Sequence, residues 1–220
     1  MDSTGLQQWF DHLCQTLEDS YTSCPDSQPW RQSGMSGPEE RWNSLRKPLS
    51  DCLHRSGAFL DIGCANGYLL ECLQRWVGER GLHVEPYGLD ISARLVELAR
   101  QRLPRYADHF FTANAFDWIP PLRFDFVRTE LVYVPAEYER TFVAHLFENY
   151  LKPDGRLIIA SYMEGLPDPQ RGCLPGCFAT ADILGHLADL HIHPIEYHDG
   201  YDPIKDRRTR FVVITRQGTV

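Results

Sequence analysis

The sequence predicts an α/β domain built on a largely parallel sheet. Three observations predict it. Short apolar, strand-like runs recur from Gly57 onward, helical patterns lie between the first six of them, and the turns that join them are short. The 220 residues suit one large domain, or a domain with a small appendage. A boundary near residue 40 divides an N-terminal helix and lid segment, 1–40, from the main domain, 41–220.

Leu6, Trp9, Phe10, Leu13 and Leu17 recur at helical spacing and predict a first helix from about Leu6 to Glu18. The stretch TSCPDSQPWRQSGMSGPEE that follows is rich in Ser, Pro and Gly and predicts a long irregular segment, which reads as a lid, a binding loop or a disordered leader. Pro38 then opens a second helix carrying Trp42, Leu45, Leu49, Cys52 and Leu53. Strands are expected at AFLDI, HVEPYGLD, HFFTA, FDFVRTE, GRLIIASY, HIHPIEYH and TRFVVIT. Helices are expected over Tyr68–Val77, Ala93–Leu103, Glu137–Tyr150 and Ala181–Leu190. No helix separates the last two strands, so the final one is expected to run antiparallel to its neighbour.

A net charge of −8 and the lack of a long basic run argue against a nucleic-acid partner. The densest basic stretch, Lys205 to Arg210, is diluted by Asp206 and reads as the solvated start of a strand. No apolar run is long enough to cross a membrane, and the N-terminus has no secretory pattern. Seven cysteines without framework spacing read as free thiols in a reducing cytoplasm. The expected state is a cytoplasmic monomer or homodimer.

In such a sheet, ligands bind beyond the carboxyl ends of the strands, so those ends carry the chemistry. FLDIGCANGYLL, Phe59 to Leu70, is a strand, a tight turn and a helix start. Its glycines, Gly63 and Gly67, are spaced G-x-x-x-G and not G-x-G-x-x-G, which argues against a pyrophosphate cradle. Asp61 at the mouth of the turn repels phosphate and suits a cationic group. Asp90, closing the second strand, is placed to accept hydrogen bonds from a ribose. A ribose, a positive charge and no phosphate together describe S-adenosylmethionine. Taken singly, these residues also have plain structural roles: the glycines in a tight turn, Asp90 at a helix cap, Asn114 in a turn.

With those residues in view, the sequence resembles the class I S-adenosylmethionine-dependent methyltransferases from about Trp42 to the C-terminus. DIGCANG is similar to the family's acidic, glycine-rich first motif, YGLDIS to the end of its second strand, TANAFDW to its adenine-contacting segment, and LKPDGRLIIASY to its fifth strand. The resemblance implies a Rossmann-like sheet of seven strands with the last antiparallel and helices on both faces. It implies a cofactor site at Asp61, Gly63, Cys64, Ala65 and Gly67, at Asp90 and Ile91, and at Asn114, Ala115 and Phe116. Ala65 stands where many members have glycine, and Asn114 where many have aspartate; an amide oxygen still accepts from an adenine amino group.

The acceptor is expected over the end of the fourth strand, FDFVRTELVYVP, which lacks the N-P-P-Y pattern of amide N-methyltransferases. Glu130 and Tyr133 are the candidate catalytic residues. Arg128, Glu130, Tyr133, Tyr162, Tyr201 and Trp42 are the candidate acceptor contacts. An Arg128–Glu130 salt bridge is an equal reading of that pair. The loop HDGYDPIKD is expected to complete the site, and SGMSGPEERW to fold over it and exclude water. Cys173 and Cys177 with His186, His191 and His193 have poor zinc spacing, so no metal is expected. The expected function is methyl transfer to an oxygen or nitrogen of a small molecule. A catalytically silent S-adenosylmethionine-binding protein and an NAD-dependent oxidoreductase are the alternatives.

Overall fold

A computed structural model describes residues 3–33, 37–162 and 192–216. Seven strands form one sheet in the order β3-β2-β1-β4-β5-β7-β6. They are β1 (Gly57–Ile62), β2 (Val84–Asp90), β3 (Phe110–Thr112), β4 (Phe124–Thr129), β5 (Leu151–Tyr162), β6 (Ile192–Asp202) and β7 (Arg207–Arg216). The first five pair in parallel, and β7 lies antiparallel between β5 and β6. The strand order reverses between β1 and β4, so a crevice opens where the connections leave toward opposite edges.

Alternation along the strands divides the core into two layers. Leu60, Val127, Leu157 and Val212 face a cluster that takes in Phe142, Val143 and Leu146 of helix α5 (Glu139–Asn149) and Phe10 of α1 (Ser3–Thr22). Phe59, Phe126, Ile158 and Phe211 face the other layer. There they meet Trp42 of α2 (Glu39–Arg46), Leu70 and Leu73 of α3 (Tyr68–Gly78), and Val96 and Ala99 of α4 (Ala93–Arg102). Both faces are therefore covered by helices, as a parallel sheet requires.

Three expectations need correction. The second helix does not run on to Leu53: α2 ends at Arg46 and a 3₁₀ turn spans Lys47–Cys52. Pro48 has no N–H to give to an α-helical ladder, and the tighter turn takes its place. The expected loop from His198 is strand through Asp202, in register with Phe211 to Arg207. Asp199 and Arg210 explain it, since they are register partners whose side chains join in two hydrogen bonds of 2.7 Å. The long irregular segment contains a 3₁₀ turn, Pro29–Ser33, tied to the glycine-rich turn by Asn66, whose Nδ2 donates to Pro29 O and Gln32 Oε1, each at 3.0 Å. The expected helix at Ala181–Leu190, together with Cys173, Cys177, His186 and His191, lies outside the described residues, as does the side chain of His193.

Candidate active site

The turn after β1 is shaped by backbone conformations that side chains resist. Gly63 and Gly67 take φ of 77° and 74°, and Ala65 takes 47° despite its methyl group. A Cβ on Gly63 would lie 2.6 Å from the Tyr133 ring, so the glycine lets that ring settle on the turn. Gly67 has a different job. It precedes α3, and a Cβ there would press on Ala99 at 3.0 Å, away from the cavities. Asp90 holds the turn from β2, accepting from Ala65 N at 2.8 Å and from Ser92 N at 2.9 Å. Ser92 caps α4 by accepting from Leu95 N at 3.1 Å. Asp90 thus braces the residue that caps α4, and its carboxylate retains acceptor capacity at the rim of a slot.

That slot is apolar and narrow, about 60 Å³. Ile62, Leu89, Ala113 and Ala115 form its floor and sides, with Asp90, Ile91 and Asn114 at its rim. Phe10, Leu13 and Leu17 of α1 close it from above. Asn114 Oδ1 already accepts from Phe116 N at 3.0 Å. Phe116 itself turns into the core, its ring 5.3 Å from that of Phe142, and does not line the slot. Nothing in the sequence of α1 shows that its apolar stripe covers this slot; the stripe marks only a buried face.

A wider cavity of about 360 Å³ adjoins the slot at Gly63, Tyr133, Leu13 and Leu17. At its deep end stand Asp61, Arg128, Glu130 and Tyr133. Arg128 Nη1 donates to Asp61 Oδ1 at 3.1 Å and to the Tyr133 hydroxyl at 3.4 Å, and Arg128 Nη2 pairs with Glu130 Oε1. The salt-bridge reading of Arg128 and Glu130 is therefore what the chain adopts, extended to a second acidic partner, Asp61 on β1. Burial pushes the Asp61 carboxyl up to about 7, with Arg128 opposing the shift and Glu130 adding to it. Burial likewise raises Asp90, against the amides that bond it. The Cys64 thiol lines the same cavity but is pushed up by burial, so it is an inert wall and not a nucleophile.

The remaining acceptor candidates separate. Trp42 lines the cavity but is wholly buried, with Nε1 donating to Ser33 Oγ at 2.9 Å. Tyr201 is not brought to it: the ring is half exposed on β6, and its hydroxyl donates to Asp206 Oδ1 at 2.9 Å. The backbone of Tyr162 ends β5 opposite Thr209, and its side chain lies outside the described residues. Sequence reasoning missed Leu13 and Leu17, and also Arg41, Lys205, Arg208 and Thr209, all of which line the cavity. Among the described residues no group of three or more His, Cys, Asp or Glu stands close enough to hold a metal, and no helix is long and apolar enough to cross a membrane.

An acid beneath the glycine turn, an acid and an amide at the rim of an apolar slot, and a second cavity meeting the first at one glycine fit a nucleoside with a cationic tail beside an acceptor. The comparisons agree. A family model described as a methyltransferase domain matches residues 53–188, more than half of the chain. The 1,6-didemethyltoxoflavin-N1-methyltransferase of Burkholderia thailandensis, solved with 1,6-didemethyltoxoflavin and S-adenosylhomocysteine bound, superposes with a TM-score of 0.69 at 18% identity, over 96% of this chain and 90% of that one. Magnesium protoporphyrin IX methyltransferase of Synechocystis, with S-adenosylhomocysteine bound, gives 0.62 at 19% identity over 95% and 100%. N-methyltransferase NodS of Bradyrhizobium japonicum gives 0.55 at 19% identity over 87% and 100%.

The fold is that of an α/β enzyme whose sheet opens a crevice at the switch point between β1 and β4. The chain belongs to the methyltransferase-domain family and is a class I S-adenosylmethionine-dependent methyltransferase. Its cofactor is S-adenosylmethionine, which removes the nicotinamide alternative.

Proposed function

We propose that this enzyme methylates an oxygen or nitrogen atom of a small molecule. The observation that carries the reading is the cavity of about 360 Å³, which meets the nucleoside slot at Gly63 beneath Tyr133. A space of that size suits a small ligand. Among proteins of similar fold, the enzymes named for didemethyltoxoflavin and magnesium protoporphyrin also take small acceptors.

Bound there, the cofactor supplies an activated methyl group on a cationic sulfur. Asp61 receives its ammonium, Asp90 and Ile91 its ribose, and Asn114 and Ala115 its adenine. The backbone of Gly63, Cys64 and Ala65 passes beneath, while Gly67 and Phe116 act from behind as packing that holds the turn and the slot. In-line transfer depends on alignment and on exclusion of water. Tyr133 presses on the turn and sets the line of approach. Glu130, held by Arg128, orients the acceptor and takes its proton. Residues 1–40 act as the lid, because α1 covers the slot and the Pro29–Ser33 turn is tied to Asn66. Trp42 supports this wall from within.

Release of S-adenosylhomocysteine across a panel of phenols, amines and carboxylic acids tests the reading. Turnover on at least one of them is expected, with Glu130→Gln slower by roughly a hundredfold, the scale of a lost general base, and with cofactor affinity kept. Turnover confined to RNA or protein substrates would overturn it.

A further inference from the structure

The mouth of the larger cavity is cationic in a chain whose net charge is −8. Lys205, in the turn between β6 and β7, and Arg208, at the start of β7, both line it. Both side chains are exposed, and neither has an ion pair or hydrogen bond among the described residues. The acids of this hairpin are engaged elsewhere: Asp199 by Arg210, Asp206 by the Tyr201 hydroxyl, Asp202 by Arg41. The basic stretch that reads in sequence as a solvated strand start thus places at a cavity two cations that no ion pair holds among the described residues.

The turn that carries them is anchored. Asp202 is wholly buried. One of its oxygens pairs with Arg41 of α2, and the other accepts from Ile204 N at 3.0 Å and Lys205 N at 3.4 Å. Arg41 holds this carboxyl below its usual range, against the effect of burial, so the anchor stays ionised. One residue therefore fixes both sides of the mouth relative to each other.

Thr209 supplies an independent observation. Its side chain is wholly buried and lines the same cavity, and its Oγ1 has no hydrogen-bond partner among the described residues. A buried hydroxyl left unpaired is costly, and a ligand oxygen would satisfy it. At the deep end two acids, Asp61 and Glu130, share the single cation Arg128, so an anion is favoured at the mouth over the deep end.

We infer that the methyl acceptor is an anionic small molecule, whose carboxylate or phosphate is held at the mouth by Lys205, Arg208 and Thr209. Its apolar body lies against Tyr21, Trp42 and Leu45, and its nucleophile reaches Tyr133 and Glu130. The inference rests on the methyl-transfer reading and adds a substrate class to it. Lys205, Arg208 and Thr209 are specificity residues, not catalytic ones.

Calorimetry tests it on protein saturated with S-adenosylhomocysteine, titrated with benzoate, phenyl phosphate and the neutral isostere benzamide. At least one anion binds saturably, and benzamide binds about tenfold more weakly or not at all, the scale of two partly solvated charge pairs. Lys205→Ala combined with Arg208→Ala loses that preference, and Thr209→Val weakens the same anion, while S-adenosylhomocysteine affinity is kept in both variants. The better of the two anions identifies carboxylate or phosphate. Equal binding of benzamide, no saturable binding of either anion, or unchanged affinity in the double variant overturns the inference and leaves methyl transfer standing. Failure of S-adenosylhomocysteine to bind wild-type protein overturns both.

Discussion

Asp61 and Arg128 are register partners across β1 and β4, joined by a 3.1 Å hydrogen bond at the point where the strand order reverses. The pair couples the glycine-rich turn after β1 to the strand that leads into Glu130 and Tyr133. Both side chains are buried, so neither charge is tolerable without the other.

Arg128→Met leaves the buried Asp61 carboxylate uncompensated, with Glu130 close by. The expected loss of stability is about 3–5 kcal/mol, read by urea denaturation. A loss below about 1 kcal/mol, the range of an exposed pair, would show that water reaches this site and that Arg128 is not its counter-charge.

Cofactor binding should depend on pH through Asp61, whose carboxyl is raised to about 7 by burial. A cationic ammonium beside it favours the ionised form, so binding and proton loss are linked. Above that value the group is already charged and affinity is flat. Below it, binding must expel a proton, and affinity falls by up to about tenfold per pH unit. Calorimetric titration of S-adenosylhomocysteine across neutral pH reads this directly. Asp61→Asn should bind weakly and without the pH dependence; an unchanged dependence in that variant would assign the titration to another group.

Gly63→Ala introduces a methyl group 2.6 Å from the Tyr133 ring at a φ of 77°. The backbone strain alone costs about 1–2 kcal/mol, and Tyr133 must also move. Pairing it with Tyr133→Ala separates the two effects: the double variant should recover the steric part and keep the strain. Simple additivity in denaturation midpoints would show that Tyr133 does not rest on the turn.

Ala65 makes the opposite case. It holds φ of 47°, where glycine is at ease. Ala65→Gly relieves that strain but adds freedom to the unfolded chain, so a net gain of up to about 1 kcal/mol is expected. Thermal denaturation measures it, and a clear loss would mean that the methyl group packs usefully against the cavity wall.

Helix α1 closes the slot with Leu13 and Leu17. Leu13→Ala with Leu17→Ala removes part of that roof, and S-adenosylhomocysteine affinity should fall by about tenfold or more, given roughly 2 kcal/mol of lost apolar contact. Removing all residues before Gly37 should weaken it further. Full affinity in the truncated chain would leave α1 without a role as a lid.

The local order of this protein is written in the chain. The strand runs, the glycine spacing at Gly63 and Gly67, the acids Asp61 and Asp90, and the helix-free final pair are patterns of neighbouring residues, and local sterics and hydrophobic periodicity turn such patterns into elements. They were enough to give the sheet and the family. Pairing across distance was not legible. That His198 to Asp202 is strand depends on Asp199 meeting Arg210. That Arg128 serves Asp61 as well as Glu130 depends on β4 lying beside β1. That Lys205, Arg208 and Thr209 border the larger cavity depends on Asp202 pinning a hairpin turn to α2. Each is decided by which strands and helices come to lie together, and burial then gives those contacts their energy by withdrawing water from charges the sequence shows only as polar residues.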